Sequence, residues 1–166
     1  MNIVFLKNIL SSVLFLLSLG GASLLSANEA ELTQPDQSTH PFEMTVYKSA
    51  SCGCCGDWVD HMKANGFKLQ VHNTNNLNSI KQKAGLTPKL ASCHTAFING
   101  YVVEGHVPAS DVKRLLAEKP DIKGLTVPGM PSGANVPGME MSPDNAKFDV
   151  LGFKEDGTVQ RWNHYQ

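Results

Sequence analysis

The chain has 166 residues, of which 42% are hydrophobic, and it carries a net charge of −1 at pH 7. This length allows one domain with its own hydrophobic core. Its 14 Lys and Arg residues are matched by 15 Asp and Glu residues without a basic patch, so nucleic acid is not an expected partner.

Residues 1–27 have the layout of a secretory signal peptide. Lys7 is their only charged residue, an apolar run follows at 9–19, and small residues lead to Ala27. The apolar run is shorter than the roughly 20 residues that a membrane-spanning helix needs. We therefore predict export, cleavage near Ala27 and no stable membrane insertion of the mature chain. An uncleaved N-terminal anchor is the alternative.

Residues 28–41 are polar, contain two prolines and predict a flexible leader to a single domain at 42–166. Hydrophobic periodicity and turn residues in this domain predict the order β-α-β-α-β-β-α, followed by a second hairpin. Two β-α units before an antiparallel hairpin indicate a mixed sheet with helices on its faces. The predicted strands are 42–47, 67–72, 95–98, 101–104, 147–153 and 158–164, and the predicted helices are 54–64, 77–84 and 109–118.

A cluster of cysteines, Cys52-Gly53-Cys54-Cys55, lies between the first strand and the first helix, with Ser51 as the predicted helix N-cap. Free N–H groups and the helix dipole at this position favour thiolate over thiol. Cys52 and Cys55 have C-x-x-C spacing, so we predict that they form a disulfide most readily when no metal is bound. A redox dithiol has no obvious use for the adjacent Cys54, whereas a metal site does.

The dipeptide Asn99-Gly100 lies between two apolar runs and predicts a two-residue hairpin turn, because both turn positions need positive φ. Counting residue pairs outward from the turn places Cys93 opposite His106, with their Cβ atoms roughly 5 Å apart. If the first hairpin strand runs parallel to the first strand of the domain, Cys93 also comes to the loop at 52–55. All four cysteines of the chain then share one site.

Residues 124–143 are rich in glycine, proline and methionine, and they repeat Val-Pro-Gly-Met at 127–130 and 136–139. We predict an ordered loop or lid, because its methionines would otherwise be exposed without use. Met130 and Met139 are therefore possible extra metal ligands.

The predicted site has the donor atoms of a soft-metal centre. Four sulfurs could form a tetrahedral zinc site, but thiolates with nearby imidazole and thioether groups suit Cu(I) particularly well. Adjacent Cys54 and Cys55 cannot readily chelate one ion together, yet they can bridge two, which favours a cluster of more than one Cu(I). Two structural disulfides or a structural zinc site are the alternatives. The candidate ligands are Cys52, Cys54, Cys55, Cys93, His106 and His94.

The C-x-x-C motif after the first strand and the hairpin sequence Phe97-Ile98-Asn99-Gly100 resemble the thioredoxin/glutaredoxin superfamily. The resemblance implies a mixed α/β sheet flanked by helices, to which the C-terminal hairpin at 147–164 is added. Members usually carry a cis-proline before the hairpin strand, where this chain has Cys93-His94-Thr95. This departure argues against a simple oxidoreductase, because the cis-proline normally guards the dithiol against metals. A thiol–disulfide oxidoreductase acting on exported proteins is the alternative function.

Short segments spread over the mature chain carry a closer resemblance. They are Tyr47-Lys48-Ser49, Cys52-Gly53-Cys54-Cys55-Gly56, Trp58, Ala91-Ser92-Cys93-His94-Thr95, Val103-Glu104-Gly105-His106-Val107-Pro108 and Val127-Pro128-Gly129-Met130-Pro131. Together they resemble the small periplasmic copper-resistance proteins of the CopG type. The resemblance implies a thioredoxin-like domain in the bacterial periplasm that binds copper through its cysteines. It implies either several Cu(I) ions in a thiolate-bridged cluster or cycling of copper between oxidation states, which leaves open whether the protein is an enzyme. Copper ions and other periplasmic copper-handling proteins are the expected partners.

Overall fold

The computed structural model describes residues 42–166, in which seven strands form one mixed sheet with three helices. The predicted signal peptide, 1–27, and leader, 28–41, lie outside the described residues. Within the described part of the chain, no helix is long and apolar enough to cross a membrane. The strands are β1 (Glu43–Lys48), β2 (Lys68–Asn73), β3 (Thr95–Ile98), β4 (Tyr101–Glu104), β5 (Gly124–Thr126), β6 (Phe148–Phe153) and β7 (Val159–Tyr165), and the helices are α1 (Gly53–Ala64), α2 (Leu77–Lys83) and α3 (Ala109–Glu118).

The mixed α/β architecture predicted from the sequence is confirmed, including the C-terminal hairpin of β6 and β7. Every predicted element is present, with ends within one residue of the predicted ones. The structure differs at β5, which occupies the first residues of the predicted loop 124–143. β5 is buried along its whole length and therefore shows no alternation of apolar and polar residues. The thioredoxin-like assignment stays a prediction.

The strand order is β2-β1-β3-β4-β5-β6-β7. β1 pairs with β2, and β4 with β5, in parallel, whereas the other neighbours are antiparallel. The antiparallel β1–β3 pair places Tyr47 beside Thr95, so β3 starts next to the end of β1, where the chain enters α1. The parallel pairing on which the sequence prediction depended is wrong. A parallel β3 would start beside the start of β1, at the opposite end of the sheet.

Helices α1 and α3 pack on one face of the sheet, where Trp58 of α1 and Leu115 of α3 share a core with Ile98 of β3. On the other face, the chain that follows α2 contributes Leu90, which packs in a second core with Val102 of β4. The hairpin of β3 and β4 is therefore covered on both faces. This double burial holds the residues at the ends of the two strands in place.

Candidate metal centre

The four cysteine sulfurs meet at the end of the sheet where β1 ends, α1 begins and β3 starts. All four Sγ atoms lie within 4.8 Å of one another. Cys52 Sγ lies 3.6 Å from Cys54 Sγ, Cys55 is fully buried, and Cys93 precedes β3. The predicted convergence of the sulfurs is confirmed, and the antiparallel pairing of β1 with β3 produces it.

Cys52 and Cys55 form a disulfide, and Cys54 and Cys93 are free thiols. The bridge joins the two cysteines of C-x-x-C spacing, as predicted, and its preferential formation without metal stays a prediction. Cys52, and not Ser51 as predicted, is the N-cap of α1, because Cys52 is the last residue with extended backbone, at φ −80° and ψ 96°. The two remaining thiols are both half-buried.

Cys93 and His106 are direct neighbours, as the count from the hairpin turn predicts. The register pairs Thr95 with Glu104, and Cys93 Sγ lies 3.0 Å from His106 Nε2. His106 Nδ1 lies 2.6 Å from the carbonyl oxygen of Pro137. A carbonyl oxygen only accepts, so Nδ1 carries the proton and Nε2 presents its lone pair toward Cys93. This is the tautomer in which a histidine binds a metal through Nε2.

His94 contacts the same sulfur from within the core. Its Nδ1 lies 3.3 Å from Cys93 Sγ, and its ring centroid lies 4.3 Å from that of Trp58 and 5.2 Å from that of His106. Its buried Nε2 has no hydrogen-bond partner among the described residues. Burial lowers the pKa of His94 well below its ordinary value, and burial also lowers the pKa of His106. Both imidazoles are therefore neutral, and together with Cys93 they form a second group of convergent donor atoms.

Burial raises the pKa of the Cys93 thiol to about 11, against a weaker opposing effect of the Ser92 hydroxyl. The nearby side chains of Cys54 and Glu104 raise this pKa further. Cys93 is therefore a protonated thiol in the metal-free protein, and a metal that binds it must displace its proton. The thiolate bias expected at the helix N-terminus does not extend to Cys93, because this residue precedes a strand.

The two Val-Pro-Gly-Met repeats both contact the cysteine site. Each starts at a buried valine and turns at a glycine with positive φ, +69° at Gly129 and +81° at Gly138. In the first repeat, Gly129 forms a parallel β-bridge with Ser92, and Met130 Sδ lies 3.8 Å from Cys54 Sγ. The predicted loop is thus ordered against the site.

In the second repeat, Pro137 supplies the carbonyl that orients His106. Gly138 packs on the start of α1, where an added Cβ would lie 2.5 Å from the carbonyl oxygen of Cys54. Met139 is half-buried against the core, although it lines a cavity next to Cys54. Within the described residues, the first repeat therefore supplies the candidate methionine that contacts a cysteine sulfur, and the second does not.

Sequence reasoning missed a buried ion pair behind Cys93. Lys81 Nζ lies 2.5 Å from Glu104 Oε1, and the Glu104 side chain is fully buried. The same oxygen accepts the Ser92 N–H at 2.6 Å, and the other carboxylate oxygen accepts the Thr95 hydroxyl at 2.7 Å. Glu104 thereby fixes the backbone immediately before Cys93. A charged residue at the end of the apolar strand β4 is the signal that could have indicated this role.

A mixed α/β domain that gathers four cysteines and two histidines at one end of its sheet has the donor set of a thiol-rich metal-binding protein. The comparisons with solved structures identify the family more closely. The chain is similar to Form 1 of copper resistance protein CopG, at 41% identity and a TM-score of 0.70, over 75% of this chain and 98% of that one. It is similar to Form 2 at 39% identity and a TM-score of 0.71, over 76% of this chain and 99% of that one. The chain therefore belongs to the family of copper resistance protein CopG.

A second comparison covers part of the same region. Residues 90–140 match the family described as "Protein of unknown function, DUF411". This segment contains Cys93, both histidines of the site and both Val-Pro-Gly-Met repeats. No curated protein gives a significant match.

Proposed function

We propose that the protein takes part in copper resistance by binding Cu(I) as its cargo, with more than one ion per chain. The convergence of all four sulfurs within 4.8 Å of one another carries this proposal. Thiolates are the donors that Cu(I) prefers, and neutral imidazoles add nitrogen donors to the set. The adjacent Cys54 and Cys55 lie too close in the chain to wrap one ion, so sulfurs shared between ions are the natural solution.

Reduction controls the full donor set, because the sulfurs of Cys52 and Cys55 are joined in the disulfide. Opening this bond adds two thiols to the two that are already free. The same pair can couple copper to redox chemistry. Oxidation of both thiols to the disulfide forms one S–S bond and releases two protons and two electrons, which reduce two Cu(II) ions to Cu(I). This cycling of copper between oxidation states is the enzymatic part of the proposal and is separate from binding.

Cys93 and His106 close the site from the hairpin side. Cys93 lies 41 residues after Cys52 in the chain, and only the folded sheet brings it to the cysteines of the α1 loop. His106 Nε2 already faces the Cys93 sulfur at 3.0 Å. We therefore assign Cys93 as a bridging ligand and His106, with His94 behind it, as nitrogen ligands. Met130 is an additional thioether ligand, and Met139 is not favoured by its packing.

Anaerobic titration of the fully reduced protein with Cu(I), against a competing chelator, tests this proposal. The wild type should bind more than one Cu(I) per chain and bind zinc much more weakly. Cys93→Ser should lose most of the stoichiometry, and His106→Ala should weaken the affinity. Binding of a single ion that is unaffected by Cys93→Ser would contradict the cluster.

The Cys52–Cys55 disulfide also favours a second candidate, a thiol–disulfide oxidoreductase that acts on exported proteins. Deletion of the gene separates the two candidates. Copper binding predicts that the deleted cells become more sensitive to copper than to zinc or to disulfide stress. Impaired folding of secreted disulfide proteins with intact copper tolerance would favour the oxidoreductase.

Copper resistance requires a compartment that copper enters, and an oxidoreductase for exported proteins requires one that those proteins enter; we propose the periplasm for both. The layout of residues 1–27 supports export, with cleavage near Ala27. Mass spectrometry of the mature protein should then find Asn28, or a residue close to it, at the N-terminus. Other periplasmic copper-handling proteins are the proposed partners.

A further inference from the structure

The Ser92–Gly129 bridge holds two sulfur-bearing residues side by side. Gly129 donates its N–H to the carbonyl of Ala91 at 3.0 Å, and the Ser92 hydroxyl donates to the Gly129 carbonyl at 2.5 Å. Because the bridge is parallel, the next residue on each segment leaves it in the same direction. Those residues are Cys93 and Met130, and both line an open cavity of about 330 Å³.

Cys54, which lines a neighbouring cavity, adds a third sulfur to this pair. Its Sγ lies 3.8 Å from Met130 Sδ and within 4.8 Å of Cys93 Sγ. Cys54 and Cys93 are the two thiols that stay free when the disulfide is present. Met130 is 57% exposed, so its side chain can be reached from solvent. His94 and His106 are fully buried, so they contact Cys93 from its inner side.

We propose that Cys54, Cys93 and Met130 form a mouth site that binds one Cu(I) and remains available when Cys52 and Cys55 are joined in the disulfide. Two thiolates and a thioether are soft donors that select Cu(I). Binding forms two Cu–thiolate bonds and one Cu–thioether bond, and the thiol protons are released to solvent. The inference rests on the proposed function and deepens it, since the exposed mouth site is the point at which copper enters and leaves the inner donors.

The consequence is a copper capacity that depends on the redox state of the protein. The reduced protein offers all four thiols and binds several ions. The disulfide form keeps only two free thiols, both of them in the mouth site, and binds one ion there. When the thiolates of Cys52 and Cys55 are oxidised to the disulfide, one S–S bond forms and two electrons pass to two Cu(II) ions, which become Cu(I). The copper that these two thiolates held is then released, while one ion stays at the mouth site, where a partner can take it.

The test compares two methionine variants in two settings. The first setting is the wild-type protein with its disulfide intact, and the second is Cys52→Ala/Cys55→Ala, in which only Cys54 and Cys93 remain. Both should bind one Cu(I) per chain in anaerobic competition with a chromophoric chelator. Met130→Leu should weaken this binding by at least about tenfold, since even indirect partners of a metal commonly contribute that much. Met141→Leu is the matched control, because Met141 is 99% exposed and should leave the affinity unchanged.

The outcomes separate this inference from the proposed function. If neither setting binds Cu(I) while the reduced wild type binds several ions, the mouth site is wrong and the proposed function stands. If Met130→Leu matches Met141→Leu in both settings, the thioether is not a ligand and the mouth site is again wrong. If no form of the protein binds Cu(I), both proposals fail.

Discussion

Cys93 combines the position of a metal ligand with the protonation state of an inert thiol. Reactive cysteines usually owe a low pKa to a nearby cation such as imidazolium. Here both neighbouring histidines are themselves kept neutral by burial, so they offer no positive charge to a thiolate. The resulting pKa of about 11 protects Cys93 from alkylation and oxidation until a metal displaces its proton.

The pH dependence of alkylation tests this protonation state in the metal-free, folded protein. Only the thiolate reacts, so the rate at Cys93 should rise about tenfold per pH unit for as long as the thiol is mostly protonated. It should still be rising above pH 9, since the pKa of Cys93 is raised from 9.0 to about 11. Peptide mass spectrometry can follow the modification of this residue alone. The denatured chain is the control, in which the rate should level off near the ordinary pKa, and a plateau near pH 9 in the folded protein would contradict the prediction.

At the scale of single elements, the two Val-Pro-Gly-Met repeats have the same local shape and different surroundings. Both glycines have positive φ. The backbone of α1 touches Gly138, whereas nothing lies within 4 Å of the position that a Cβ would occupy at Gly129. The repeat therefore provides a matched pair of substitutions that separates backbone strain from packing.

Gly129→Ala should cost only the left-handed backbone strain of a non-glycine residue, about 1–2 kcal/mol. Gly138→Ala should lose the same amount of stability to strain and about 1–3 kcal/mol more to overpacking. Its Cβ would lie 2.5 Å from the Cys54 carbonyl oxygen and 2.7 Å from Trp58 N. The displaced second repeat should also draw the Pro137 carbonyl away from His106. Urea denaturation measures the loss of stability in each variant, and Cu(I) affinity measures the effect of Gly138→Ala on His106. Equal losses of stability in the two variants would show that the α1 contact is unimportant.

The elements differ in how much of them the sequence predicts. The β3–β4 hairpin is predicted to the residue pair, because Asn99-Gly100 imposes both the turn type and the register. β5 was missed, because a strand of three buried residues has neither length nor alternation. The direction of β3 relative to β1 depends on tertiary packing, and no local pattern encodes it. The contact of Cys93 with His106 is nonetheless predicted, since the hairpin count does not depend on that direction, whereas the approach of Cys93 to the α1 loop was predicted from a strand direction that is wrong.

At the scale of the whole molecule, the sequence predicts the ligands better than it predicts the groups that support them. The cysteines and His106 follow from motif spacing and register. The carbonyl of Pro137 and the carboxylate of Glu104 act through contacts between distant segments. The contact of Met130 with Cys54 depends in the same way on the Ser92–Gly129 bridge. The charge of Glu104 at the end of β4 is visible in the amino-acid sequence, but which distant segments these groups contact is not, so this part of the site needed the structure.

Copper should stabilise the reduced protein against unfolding, because only the folded chain joins Cys93 to the cysteines of the α1 loop. At a free Cu(I) concentration of 100 times the dissociation constant, the gain should approach about 2.7 kcal/mol for one site. The unfolded chain keeps the neighbouring Cys52, Cys54 and Cys55 and binds some copper, which reduces this gain. Cys93→Ser retains those local cysteines and should lose most of the stabilisation. Anaerobic urea denaturation with and without Cu(I) measures it, and an equal gain in wild type and variant would argue against closure of the site by Cys93.

The β3–β4 hairpin has a further consequence for how the protein can change. The Asn99-Gly100 turn lies at one end of the hairpin, and the Cys93–His106 contact lies at the other. Side chains alternate between the faces of a strand, so a turn longer or shorter by one residue would reverse the facing of one strand against the other. The number of residues between the turn and the site therefore determines which side chains meet at the metal centre. Substitutions in the turn should be tolerated when the new residue can adopt positive φ. An insertion or deletion there would disable the site, although every ligand would remain in the sequence.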